Sequence, residues 1–231
     1  LFVTSLQRLP REGWTFFGTL WLDAYTDGDE QKGTLFGLTQ AYLATGKRWP
    51  GGSSLDLVYT HLEFPEMERD ESLPVTDDQL ADDHNERLSL ASGLQLGEAV
   101  RMRTAAGAWV DEAEQGGDAE FGFDIRDFVF EDAFADVAAF ASRGRFVTEF
   151  GGRGSLGVLT SGGARLALDY EFTQNRLDGF SAANDDLPQH RLRLRGDHAW
   201  NTWNVSWRLE ALVYDDEHAL TLGLYLQRTT Y

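Results

Sequence analysis

From Ala164 to Arg228 the chain alternates apolar and polar residues with almost no interruption. Leu166, Leu168, Tyr170 and Phe172 alternate with Arg165, Asp169, Glu171 and Thr173, and Leu192 and Leu194 alternate with Arg191, Arg193 and Arg195. Trp203, Val205, Trp207, Leu209, Ala211 and Val213 interleave with Asn204, Ser206, Arg208 and Glu210, and a row of Leu220, Leu222, Leu224 and Leu226 follows. A period of two places one set on each face of a β-strand and excludes an amphipathic helix.

Earlier segments repeat the pattern less cleanly. Strands are expected from Gly13 to about Thr26, Gly33 to Ala44, Ser54 to Phe64, Glu86 to Gly97 and Ala99 to Val110, with DGDEQK and TGKRWPGG as breakers between them. AEFGFDIRD alternates, whereas FVFEDAFADVAAFASRG is compatible with a strand or a helix, because Val137, Phe140 and Ala141 have helical spacing and alanine is a poor strand former. Reading it as strand, with short strands near Ala133 to Ser142 and Gly152 to Thr160, gives about twelve. Residues 1–12 show no clear period and contain Pro10, and are read as an N-terminal lead-in to a single domain over 13–231.

Runs of about ten residues with unequal connections predict an all-β fold, an antiparallel transmembrane β-barrel with both termini periplasmic. The longer connections expected on one side are DGDEQK, Pro65 to Asn85, DEAEQGGD, SRGRFVTEFGG, Gln174 to Pro188 and DDEH. Trp14, Trp49, Trp200 and Trp203 would mark one membrane boundary, and Tyr25, Phe64, Trp109, Phe172 and Tyr214 the other. Alternation also suits a soluble secreted β-sandwich with its apolar face inward. The barrel requires Leu168, Leu194 and Val205 to face outward and Arg193 to turn away from them.

In this general pattern the chain resembles the small bacterial outer-membrane β-barrels, including the narrow porins that pass acidic oligosaccharides, and Tyr231 resembles their terminal aromatic residue. The resemblance implies a Gram-negative outer membrane, with lipid bilayer and lipopolysaccharide as surroundings and small solutes as cargo. Arg101, Arg103, Arg165, Asp169, Glu171, Arg191, Arg193, Arg195, Arg208 and Glu210 would then be pore-lining, since a charge facing lipid near the midplane costs about 2–4 kcal/mol. An arginine-rich lining favours anions, so transport of small anionic solutes is expected; the same charges could instead pair across strands and fill the lumen.

Other functions leave weaker traces. A barrel could anchor a protein partner or belong to an export or assembly complex. A rim hydrolase would need a nucleophile and histidine in reach, with His61 or His190 beside Ser89 or Asp83 as candidates among the five histidines. No catalytic motif, phosphate loop, zinc spacing or dinucleotide fingerprint is present, so no cofactor or metal is expected. The net charge of −18 argues against nucleic acid. Much of the acidity falls in expected loops, as in Glu66, Glu68, Asp70 and Glu71, where solvation explains it. No stretch approaches the roughly 20 apolar residues of a membrane helix. There is no cysteine, hence no disulfide, and with Leu1 in place of Met the chain is read as a mature or trimmed form.

Overall fold

A computed structural model describes residues 2–11, 13–24, 36–63, 84–111, 114–144, 147–177, 186–214 and 217–228. They form thirteen strands: β1 (Phe2–Arg11), β2 (Trp14–Ala24), β3 (Phe36–Arg48), β4 (Ser54–Glu63), β5 (His84–Gln95), β6 (Val100–Asp111), β7 (Gln115–Arg126), β8 (Ala133–Arg143), β9 (Val147–Leu159), β10 (Arg165–Leu177), β11 (Asp186–Trp200), β12 (Trp203–Tyr214) and β13 (Glu217–Arg228). All belong to one sheet in sequence order, and the registered pairs are antiparallel. No helix occurs among the described residues.

Strands β2 to β13 correspond one to one with the twelve read from the sequence. The thirteenth is β1, in the stretch read as a lead-in; it pairs with β2 through a register shift between Arg8 and Arg11, around Pro10, which has no N–H to give the ladder. The ambiguous alanine-rich stretch is strand β8, because β9 supplies its hydrogen-bonding partner along the whole length, from Ala133↔Val158 to Arg143↔Thr148.

Connections differ from expectation. DEAEQGGD and SRGRFVTEFGG are largely strand, since β7 starts at Gln115 and β9 at Val147, so only short links remain there. Asp111 closes one by accepting the Glu114 N–H on its carboxylate at 2.7 Å while donating its own N–H to the Glu114 carbonyl at 3.0 Å. DGDEQK and most of Pro65 to Asn85 lie outside the described residues.

The chain divides into two compact units, Leu1–Gly93 with Ala105–Asp118 and Leu94–Thr104 with Ala119–Tyr231. The second contains β8 to β13 complete. One of its faces carries Leu166, Leu168, Tyr170, Leu192, Leu194 and Leu209, then the β13 leucines, all exposed. Leu168 is 44% exposed and Leu194 39%, whereas Ala167 and Thr173, on the other face of β10, are at 2% and 6%. The apolar face is therefore the bare one, the reverse of a soluble core.

Three aromatic rings of this unit lie over the glycine directly across the ladder: Trp207 over Gly196 on the apolar face, and Phe134 over Gly157 and Phe140 over Gly151 on the polar face. A Cβ at Gly196 would come within 2.6 Å of the indole ring. Glycine is needed at these positions for room rather than for backbone freedom, and the ring covers strand that would otherwise lack packing.

Candidate functional site

The site is the polar face. In the second unit, β10, β11 and β12 bring Asp169, Arg193 and Glu210 into adjacent register positions. The charges pair along this ladder, but Asp169 does not take the arginine opposite it. Its carboxylate accepts from Nη2 of Arg195 at 3.2 Å, with Nε of the same guanidinium 2.9 Å away as an ion-pair contact, and Nε of Arg193 donates to Glu210 at 2.8 Å. Arg191 donates to Glu171 at 3.0 Å and lies 3.8 Å from Glu210, which also has Arg208 at 3.9 Å. Glu210 thus serves three guanidinium groups, and its side chain is only 19% exposed. Such charge-assisted contacts are stronger than neutral hydrogen bonds and fix the side chains on the sheet.

A second cluster lies on β6 to β9 of the same unit. Arg103 contacts Asp124 at 2.9 Å, Glu120 at 3.5 Å and Asp136, and Arg153 reaches both oxygens of Glu120, at 2.8 and 2.7 Å. Here three carboxylates share two guanidinium groups. In the β10–β12 cluster four guanidinium groups, of Arg191, Arg193, Arg195 and Arg208, meet three carboxylates, of Asp169, Glu171 and Glu210.

Glu120, Asp124, Asp136 and Arg153 were not among the lining residues read from the sequence. Parity could have found Glu120 and Asp124, which alternate with Phe121 and Phe123; Asp136 and Arg153 sit in alanine- and glycine-rich strands without apolar contrast. Of the remaining expected lining residues, Arg165 holds its guanidinium 4.6 Å from the Phe134 ring centre, and Arg101 is half-buried on β6.

The first unit has its own polar-face pairs. Arg48 meets Asp56 at 2.6 Å, and Arg87 meets Asp118. Each passes over a glycine: a Cβ at Gly46 would lie 2.5 Å from Asp56 Oδ1, and one at Gly107 would lie 2.8 Å from Asp118 Oδ1.

Among the described residues His61 and Ser89 do not come together as a hydrolytic pair. His61 is 7% exposed, with Nε2 3.0 Å from the Leu38 carbonyl and both ring nitrogens 3.6 Å from carboxylates, of Glu63 and Glu86. Its register partner is Glu86, while Ser89 pairs with Val58, three residues away, so His61 and Ser89 project to opposite faces. Asp83 lies outside the described residues. Nδ1 of His190 is 2.9 Å from the Tyr170 hydroxyl, on the apolar face.

Boundary aromatics divide as well. Trp14, Trp200, Trp203 and Phe172 stand in the register of the apolar rows, whereas Tyr214 pairs with Gln189 in the register of the arginines, and Trp109 shares the parity of Gly107, which faces the Arg87–Asp118 pair. Trp49 lies in the β3–β4 turn, and Tyr25 and Phe64 lie outside the described residues.

Together these features define an all-β, antiparallel sheet with a bare apolar face and an ion-paired polar one. The sequence matches no known family model and no curated protein. Among the described residues no helix is long and apolar enough to cross a membrane, which leaves crossing by strands untouched.

Proposed function

We propose that the chain is a transmembrane β-barrel of a bacterial outer membrane, surrounded by lipid and lipopolysaccharide, and that it serves as a narrow channel for small anionic solutes. The observation that carries the first half is the bare apolar face. On β13 the outward row runs from His218 through four leucines to Arg228. Ten steps of about 3.3 Å give about 33 Å along the strand, and a tilt of about 40° leaves about 25 Å, the height of the apolar band of such barrels. A two-sheet sandwich draws no support from strands that all lie in one sheet.

The β10–β12 sector supports the second half, because its arginines outnumber its acids and leave it cationic. A second reading is favoured by the pairing itself: guanidinium groups already held by Asp169, Glu171 and Glu210 suit a filled lumen, hence a barrel that anchors a protein partner or belongs to an export or assembly complex. Heat-modifiable gel migration followed by planar-bilayer recording tests these readings. A folded, faster band and reversal potentials favouring anions are expected. Cation preference overturns the anionic cargo, and a folded barrel that never conducts leaves the scaffold.

A further inference from the structure

We propose that Lys47 and Arg228, each stacked on the tryptophan directly across the ladder, bind the phosphate groups of an anionic phospholipid at the edge of the apolar band. The inference rests on the membrane reading and adds a partner for that surface. Trp14↔Lys47 joins β2 to β3, and Trp203↔Arg228 joins β12 to β13. Among the described residues such a rung occurs in each unit, in the register of its apolar row and at a strand end: Trp14 opens β2, Trp203 opens β12 and Arg228 closes β13. Nζ of Lys47 lies 5.0 Å from the Trp14 ring centre, and the guanidinium carbon of Arg228 lies 5.7 Å from that of Trp203.

Two chemical preferences coincide at these rungs. Indole settles at the level of lipid carbonyl and headgroup, apolar on one side and wet on the other. A cation within about 6 Å of the ring is attracted to its face, and so is kept at that same level. In a chain with only 20 Lys and Arg against 38 Asp and Glu, cations placed at the ends of the apolar rows complement lipid phosphate in charge. Arg143 and Arg176 also reach the outward register, at other strand ends, but both stand opposite Thr148 rather than a tryptophan.

The test uses the full chain refolded into phosphatidylcholine vesicles with and without phosphatidylglycerol, folding being followed by heat-modifiable migration. The readout is tryptophan quenching by brominated phosphatidylglycerol relative to brominated phosphatidylcholine. The wild type should prefer phosphatidylglycerol, and K47Q and R228Q should each lower that preference about fivefold, their tryptophans being kept. Equal preference in wild type and double variant overturns the proposal, as does an equal loss in R143Q, which would mark general surface charge. Competition by free inorganic phosphate overturns the lipid as the source. If no heat-modifiable species forms in either lipid, the membrane reading falls too; if it forms and shows no lipid preference, only this proposal does.

Discussion

Strands β10 to β13 and strands β8 to β9 belong to one unit and obey one ladder, yet they keep their two faces distinct by different means. In β10–β13 residue type marks the face: leucine rows on one side, arginine and acid on the other. In β8–β9 the marking nearly vanishes. Many of its outward positions are small, as at Ala135, Ala139, Gly152 and Gly154 among Val137, Phe150 and Leu156, while two phenylalanines, Phe134 and Phe140, turn to the charged face and lie on Gly157 and Gly151. Face is therefore a property of register, and composition reports it only where both faces are filled with contrasting side chains.

The largest test of that contrast is a charge on the marked face. Leu194→Arg should destabilise the protein in lipid by about 2–4 kcal/mol if the leucine row meets hydrocarbon. On a water-exposed surface the same change would lie within about 0.5 kcal/mol. Urea titration in vesicles reads the difference, and a neutral result would remove the orientation on which the channel reading depends.

Next come two adjacent glycines of β9. A Cβ at Gly151 would overlap the Phe172 carbonyl oxygen and approach the Phe140 ring to 2.8 Å, whereas at Gly152 the nearest atom, the Ala138 carbonyl oxygen, is 3.5 Å away. Gly151→Ala should cost about 1–3 kcal/mol and Gly152→Ala almost nothing. Equal unfolding midpoints for the two variants would break the claim that polar-face glycines are seats for aromatic rings.

A smaller effect is expected at Glu210. Replacing it with Gln keeps the shape but removes the charge that Arg191, Arg193 and Arg208 share. Stability should fall by about 1.5 kcal/mol, and if the lumen conducts, the reversal potential should move further toward anions. An unchanged reversal potential would mean that Glu210 does not face the permeation path.

The same contrast explains what could be read in advance. The twelve strands after Gly13, and the face of each charged residue expected to line a pore on β10–β12, were legible because Leu168, Leu194 and Leu209 alternate with Asp169, Arg193 and Glu210. The acid-rich cluster was legible only in Arg103, Glu120 and Asp124, since Asp136 lies among alanines and Arg153 among glycines, where period two has no amplitude. The pairing was legible only in part: register put Asp169 opposite Arg193, but side-chain reach sends it diagonally to Arg195. β1 escaped notice because Pro10 and the register shift beside it blur its period.

The least expected effect, and the sharpest on local geometry, sits at the turn that leads into β8. Asp127, Val129 and Asp132 all have positive φ, at 52°, 73° and 65°. The turn is held by the Asp132 N–H donating to the Asp127 carboxylate at 3.1 Å and by the Phe128 N–H donating to the Ala133 carbonyl at 3.2 Å. Aspartate tolerates this region, whereas a β-branched residue there is strained. Val129 is also 84% exposed, so little packing offsets the strain. Val129→Gly should therefore raise stability by about 1 kcal/mol, read as a later urea midpoint with unchanged slope. Glycine also gains freedom in the unfolded chain, which works against that gain. A fall in midpoint would mean that this freedom outweighs the relief.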